Sequence, residues 1–189
     1  MRPTVPGVKL AYDDYVLFPD DGKRHELIDG EHYVTPSPIP RHQAILLKLA
    51  VMMQQHLDTH PAGLIYIAPL DVVFSEFDVV EPDLLYISRE RLGQILTPTN
   101  VAGAPDLVVE IGSPGTRRRD ETVKRHLYER FGVAEYWVID PELEAVKAYR
   151  QAGAGYARVA ELTREDDAVL TTPLMPGLEV LLARLFADE

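Results

Sequence analysis

The segment from residue 106 to residue 139 constrains the fold more than any other part of the sequence. It begins with the apolar run DLVVEIG and the breakers SPG, continues as a charged stretch with helical periodicity from about Arg117 to Phe131, and ends with the apolar run EYWVID. Two buried strands joined by a helix form a parallel crossover unit. This order predicts an α/β fold with a mixed central β-sheet flanked by helices.

The rest of the chain supplies further strands and one long helix. RHELIDGEHYVT is typical of a hairpin with Asp29-Gly30 as its tight turn. Apolar residues at helical spacing predict a helix from about Arg41 to His60, and a short helix is expected around Tyr12 to Phe18. The runs LIYIA, LDVVF and VVEPDLLYI favour strands, and AVKAYR, YARVA and AVLTT predict a meander near the C-terminus.

Length and composition fit one domain, residues 1–189, with a hydrophobic content of 46%. No run approaches the roughly eighteen apolar residues of a membrane span, and the first ten residues lack the centre of a secretory signal, so we expect a cytoplasmic protein without a membrane partner. The absence of cysteine excludes disulfides and thiolate sites. A net charge of −11 argues against broad adhesion to nucleic acid but allows a local basic groove.

Two carboxylates stand inside apolar runs: Asp83 in VVEPDLLYI and Glu110 in DLVVEIG. A buried carboxylate without a partner is unfavourable, so such groups are normally paired or bound to a cation. Adjacent strands would let the two converge, and a divalent ion, Mg²⁺ or Mn²⁺, would remove their repulsion. Taken alone, Asp83 also fits a backbone-bonded residue at a strand start, and Glu110 fits a structural ion pair equally well.

Lys124 lies on the helix expected after the Glu110 strand, four residues from both Asp120 and Tyr128. Its long side chain could reach back over the end of the strand. Hydrolysis of an ester needs a group that stabilises the attacking hydroxide and the leaving oxygen, and a lysine can do both. The alternative is an ordinary surface pair with Asp120 one helical turn away.

A run of arginines begins the same helix. Cations oppose the helix dipole at this end, which hints at a use such as binding phosphates, although an arginine run also fits a solvated helix face. His42, at the edge of the inward face of the long helix, fits either a packed histidine or a residue at the edge of a site. The candidate phosphate ligands are Arg117, Arg118 and Arg119.

Several short motifs follow one another in a characteristic order: HELIDGE, Pro82-Asp83, DLVVEIGSPGT, the spacing of Asp120 to Lys124, Tyr128, and GVAEYWVIDP. In this order they resemble the Uma-two family of restriction-endonuclease-like proteins, within the PD-(D/E)XK nuclease superfamily. The resemblance extends from the first helix to LMPGLEVLLARLF near the C-terminus. It implies a restriction-endonuclease-like core.

The resemblance also implies roles for individual residues. Asp83 and Glu110 correspond to the metal ligands, and the backbone carbonyl of Ile111 corresponds to a third ligand. Glu26, in HELIDGE, matches an acidic residue that related nucleases bring near the metal. Its position next to a hairpin turn alone would favour a solvated rim residue.

The sequence departs from the superfamily at the catalytic lysine. That lysine normally lies two residues after the second acid, where this chain has Gly112. The family that the sequence resembles places the lysine on the following helix, which selects Lys124.

We therefore expect a metal-dependent endonuclease that uses Mg²⁺ or Mn²⁺ and acts on nucleic acid, with DNA as the first candidate. A homodimer is a candidate assembly, because cutting both strands of a duplex requires two sites. One alternative is a catalytically inactive module with the nuclease fold that serves binding or dimerisation. Another is a hydrolase for a small phosphoester.

Overall fold

The computed structural model describes residues 8–113, 115–153, 155–166 and 168–187, so Pro114 of the SPG breaker lies outside the described residues. Its helical elements are α1 (Tyr12–Tyr15), α2 (Pro40–Thr59), α3 (Arg89–Ile95), α4 (Arg117–Arg119), a π-helical turn (Asp120–Lys124), α5 (Arg125–Arg130), a 3-10 turn (Arg164–Asp166) and α6 (Leu182–Leu185). Its strands are β1 (Arg24–Ile28), β2 (Glu31–Thr35), β3 (Gly63–Ile67), β4 (Val72–Ser75), β5 (Asp78–Val80), β6 (Leu84–Ser88), β7 (Val101–Ala102), β8 (Leu107–Ile111), β9 (Glu135–Asp140), β10 (Ala145–Ala152), β11 (Gly155–Thr163), β12 (Val169–Leu170) and β13 (Val180–Leu181).

A six-stranded mixed sheet forms the centre of the fold, in the order β11-β10-β9-β8-β6-β3. β8 and β9 are parallel, and the helical segment from α4 to α5 connects them, whereas the other neighbouring strands are antiparallel. The α/β prediction, with a mixed central sheet flanked by helices, is confirmed.

Both faces of the central sheet are buried. In β6, Leu84 and Tyr86 pack into one hydrophobic cluster, and Leu85 and Ile87 pack into a second cluster on the opposite face. Helix α2 covers the first face and α5 contributes to the second. Burial on both faces explains why β8 and β9 appear in the sequence as nearly unbroken apolar runs.

A second sheet of five strands, in the order β2-β1-β5-β4-β7, was not expected from the sequence. The run VVEPDLLYI divides at Pro82, so that its first part forms β5 in the second sheet and its last part forms β6 in the central sheet. Proline has no N–H to donate to a sheet ladder, and the chain changes sheets where the ladder is interrupted. The prediction that Asp83 lies within a strand is therefore wrong, because Asp83 directly precedes β6.

Local signals located most of the other elements. Asp29 and Gly30 both have positive φ values, 53° and 75°, as a two-residue hairpin turn requires, and α2 begins and ends within one residue of its predicted bounds.

Helix α1 is shorter than expected. AVLTT does not extend the meander, because Val169–Leu170 pairs with Val180–Leu181 in a separate two-stranded sheet. None of the helices in the described ranges is long and apolar enough to cross a bilayer.

The edge strand β3 provides a test of the packing. A Cβ atom on Gly63 would clash with the carbonyl oxygen of Ile87 and lie 2.6 Å from the ring of Tyr86, so we expect Gly63→Ala to lower the free energy of unfolding by about 2 to 4 kcal/mol. Gly93→Ala is the matched control, because open space surrounds that helical glycine and alanine favours helix by up to about 1 kcal/mol. Urea denaturation measures both variants. Equal midpoints for the two would contradict the close approach at Gly63.

Candidate active site

Three predicted acidic residues meet where the two sheets adjoin. Asp83 precedes β6 and Glu110 lies in β8, and these strands pair with Leu84 opposite Val109, so the two acids are neighbours in register. Glu26 comes from β1 of the second sheet. The exposed fractions of Glu26, Asp83 and Glu110 are 1%, 2% and 3%. Glu26 is therefore buried at the site and not part of a solvated rim.

Lys124 connects two of these acids. Its Nζ atom lies 2.7 Å from Oε1 of Glu26 and 2.8 Å from Oε1 of Glu110, and only 3% of the residue is exposed. The Tyr128 hydroxyl donates to the same Glu110 oxygen at 2.6 Å. Lys124 is thus a buried cation between strands of two sheets, instead of a surface residue paired with Asp120.

Asp83 is held by a second set of donors. Arg24 Nη1 donates to Oδ1 at 2.6 Å, while the Ile111 backbone N–H and His42 Nε2 donate to Oδ2 at 2.7 Å and 3.1 Å. Three donors on one carboxylate fix its orientation. The Ile111 contact uses its amide nitrogen, and metal ligation by its carbonyl oxygen stays a prediction.

The two central acids have contrasting environments. Burial favours protonation of Asp83, but the hydrogen bond from His42 and the positive charge of Arg24 prevail and lower its pKa to about 2. Burial raises the pKa of Glu110, although the Lys124 charge opposes the change. Asp83 is therefore ionised at neutral pH, and the ionised form of Glu110 depends on the ammonium group of Lys124, 2.8 Å away.

The ionisation of Lys124 follows from the same contacts. Burial acts to lower the pKa of this ammonium group, but the negative charges of Glu110 and Glu26 outweigh burial and raise the pKa above its ordinary value. Lys124 therefore keeps its proton at neutral pH. It can act as a hydrogen-bond donor and a positive charge, but not as a general base.

The helix that carries Lys124 contains a π-helical turn, Asp120–Lys124, which the sequence did not predict. Here the Arg125 N–H reaches back to the carbonyl oxygen of Asp120, and the Tyr136 hydroxyl donates to the same oxygen at 3.1 Å. A side chain that inserts into the hydrogen-bond ladder is a known cause of such distortions, and π-turns are frequent at functional sites.

The three arginines at the start of this helix point to different places. Arg117 Nη2 contacts Asp140 at 2.7 Å and Glu142 at 3.0 Å, and Arg118 is exposed. Arg119 turns inward, and its side chain is largely buried. The predicted patch is therefore split, with one arginine paired, one in solvent and one at the site.

Arg119 joins the helix to the end of β2. Its Nη2 atom donates to Thr35 Oγ1 at 2.5 Å, its guanidinium lies 5.4 Å from the ring centre of Tyr33, and Nη2 is 3.7 Å from Oε2 of Glu26. These contacts place a positive charge beside the buried acids. They also hold one side of the cavity in place.

The four catalytic candidates line a cavity of about 270 Å³. Arg24 and His42 line it too, although the sequence had not indicated Arg24 as a site residue. The available signal was strand alternation, because residues 24 and 26 lie on the same side of β1. Since the pairing of β1 with β5 could not be read from the sequence, this side could not be assigned to a site.

Unsatisfied polar atoms gather around this cavity. In the described part of the chain, the buried side-chain nitrogen and oxygen atoms that have no hydrogen-bond partner are Oε2 of Glu26, Nδ1 of His42 and Nε of Arg119. All three residues line the cavity. Buried polar groups are normally satisfied, so this concentration fits a place where an ion, water or substrate binds.

The side chains alone do not form a complete site for a divalent cation, so backbone oxygens or water would have to supply further ligands. Within the described ranges, no three histidine or acidic side chains form a group that could hold a metal ion. Magnesium commonly binds through one or two carboxylates and keeps several waters. Asp83 and Glu110, with a backbone oxygen and water, would satisfy that pattern.

The buried contacts of Lys124 predict a large loss of stability in Lys124→Met. Removal of one partner from a buried ion pair costs about 3 to 5 kcal/mol, because the remaining carboxylates keep their desolvation penalty. Lys147→Met is the control, since the ion pair of Lys147 with Glu121 is partly exposed and should contribute less than about 1 kcal/mol. Urea denaturation in chelator-containing buffer tests this, and similar losses in both variants would contradict a buried Lys124.

Known proteins support this interpretation of the fold. The sequence model of the Uma2 family, described as "Putative restriction endonuclease", matches residues 12–184. No curated protein matches the sequence. A crystal structure described as a putative nuclease of DUF820 from Anabaena variabilis ATCC 29413 superposes with a TM-score of 0.78 at 21% identity, over 94% of this chain and 97% of that chain. Because the family match spans most of its length, the chain belongs to the Uma2 family of restriction-endonuclease-like proteins.

Proposed function

We propose that this protein is a metal-dependent endonuclease that hydrolyses phosphodiester bonds of nucleic acid, with DNA as the first candidate substrate. The observation that carries this proposal is the buried ammonium group of Lys124 between Glu26 and Glu110, beside the ionised Asp83. Buried charges are a poor way to gain stability, and strongly perturbed groups around a cavity are typical of active sites. Membership of the family supports a nuclease-like function.

Each residue has a distinct part in this proposal. Asp83 and Glu110, with the carbonyl of Ile111, would hold Mg²⁺ or Mn²⁺, which would supply positive charge to the oxygens of the phosphate group. Lys124 would donate hydrogen bonds to the attacking water and to oxygens that become negative during the reaction. Glu26 would hold the ammonium group in position from the opposite side.

The arginines would contact the nucleic acid backbone. Arg119 lies at the cavity and Arg118 is exposed, so both could approach phosphates directly. Arg117 would first have to exchange Asp140 and Glu142 for a phosphate. Cleavage of both strands of a duplex would require a second copy of the site, which a homodimer would supply.

A rival function is a binding module that keeps the nuclease fold without its chemistry. The observation in its favour is that both oxygens of Asp83 already accept hydrogen bonds within the protein, from Arg24 and from His42 and Ile111. Calorimetry with Mn²⁺ separates the two functions. The nuclease predicts a binding heat that Glu110→Gln reduces, whereas a module that needs no metal predicts the same trace for both proteins.

Cleavage assays test the proposed nuclease directly. With plasmid and single-stranded DNA in Mg²⁺ or Mn²⁺, we expect Asp83→Asn, Glu110→Gln and Lys124→Ala each to lower the cleavage rate by about a hundredfold or more, because each removes a ligand or a stabilising charge. Lys147→Ala is the control, since Lys147 pairs with Glu121 away from the cavity.

Chelation of divalent ions should abolish activity in the wild-type protein. Asp83→Asn and Glu110→Gln keep the shape of their side chains, and urea denaturation checks that each of the three variants is folded under the assay conditions, so that lost activity reports on chemistry. If the wild type and the three site variants cleave equally, the assignment of these residues is wrong.

A further inference from the structure

The reacting groups of the site lie below the protein surface. Glu26, Asp83, Glu110 and Lys124 are between 1% and 3% exposed, and they surround a cavity of only about 270 Å³. This volume is slightly below the range of roughly 300 to 1,000 Å³ that is usual for small-molecule sites. A phosphate must therefore enter the cavity to be attacked, and a group of about one nucleotide is the largest that could accompany it.

Two segments border the entrance. The first, residues 35–39, links β2 to α2 and is rich in proline, with Ile39 56% exposed. The second includes Ser113, Gly115 and Thr116, which follow β8. The carbon surface of Pro36, Pro38 and Ile39 in the first segment suits a sugar or a base better than a row of phosphates.

Arg119 holds one side of this entrance in place. Its hydrogen bond to Thr35 ties the start of the 35–39 segment to the helix that bears Lys124, and its cation–π contact with Tyr33 ties the same helix to β2. Proline restricts the backbone of residues 36 and 38 further. Specific contacts therefore determine the position of the rim around this entrance.

An intact duplex is poorly suited to such an entrance. Double-stranded DNA is stiff on the scale of roughly 150 base pairs, and its phosphates remain on the outside of a wide helix. A phosphate of a duplex can meet side chains at a protein surface, but it cannot enter a narrow cavity unless its nucleotide leaves the stack. A single strand can bend at each nucleotide and enter without that penalty.

The charge distribution favours the same substrate. The chain carries a net charge of −11, and Arg117 is already engaged by Asp140 and Glu142. A duplex presents about one negative charge per 1.7 Å of axis and needs an extended basic surface. Arg119 lines the cavity and the neighbouring Arg118 is exposed, and this short stretch of positive charge suits a few phosphates of one strand.

From the buried acids, the tied rim and the short basic stretch, we infer that the site takes unpaired nucleic acid, either a single strand or an unpaired segment of a duplex, in preference to a continuous duplex. This inference rests on the proposed nuclease function and specifies its substrate class.

Three substrates of one sequence test the inference: a labelled single strand, the blunt duplex, and the duplex with a central unpaired segment. With Mn²⁺ or Mg²⁺ and at equal ionic strength, we expect the single strand and the unpaired segment to be cut at least about tenfold faster than the blunt duplex. Cuts in the third substrate should fall within the unpaired segment.

Other outcomes overturn the inference in distinguishable ways. Equal or faster cleavage of the blunt duplex would overturn the substrate preference but leave the nuclease function intact. Turnover of a small phosphodiester such as bis(p-nitrophenyl) phosphate without cleavage of any oligonucleotide would indicate a small-molecule hydrolase. No cleavage of any of these substrates would remove the proposed function and this inference together.

A rim variant tests the physical cause. Thr35→Val keeps the shape of the side chain but removes the acceptor for Arg119. We expect the ratio of duplex to single-strand cleavage to rise about threefold or more, because a loosened rim admits a duplex more readily. A ratio that stays at the wild-type value would show that the rim does not select the substrate.

Discussion

The interaction on which the rest of the structure depends is the ammonium group of Lys124 held between the carboxylates of Glu26 and Glu110. The three residues come from a helix, from the five-stranded sheet and from the central sheet, and each is at most 3% exposed. In such surroundings each charge is stable only beside its partners. The cluster therefore fixes β1 of the second sheet against β8 and the helix that follows it.

A charged cluster of this kind contributes little net stability, since apolar residues of similar volume often serve as well. Its value lies in the unequal balance of charges around the cavity. The charged residues of the lining are four acids and three bases. The acids are Glu26, Asp83, Glu110 and Asp120, and the bases are Arg24, Arg119 and Lys124. With these seven groups ionised, the lining carries one more negative than positive charge, so a divalent cation there would reverse the sign and make the cavity attractive to a phosphate. Such a reversal would account for charges that are unfavourable to bury.

The sequence predicted the central sheet well because its strands are bounded by local signals. Glycine, proline and apolar periodicity located β8, β9 and α2, and the parallel crossover followed from their order. The second sheet could not be predicted, because β1 and β5 pair across about fifty residues and short strands carry no record of their partners. For the same reason the sequence indicated Asp83 and Glu110 but missed Arg24, whose role depends on which residues the other sheet presents to it.

The position of Lys124 shows that the spacing of residues in a sequence motif is only an indirect guide to where their side chains meet. A Cβ atom at Gly112 would lie 3.5 Å from the Ile139 carbonyl oxygen and 3.9 Å from the Arg117 Cα atom, which are ordinary contacts, so the backbone does not exclude a side chain there. What the proposed reaction would require is an ammonium group at one point in space, and Lys124 reaches the carboxylates from the helix that follows β8. A lysine two residues after Glu110 is therefore not needed to place an ammonium group beside that carboxylate.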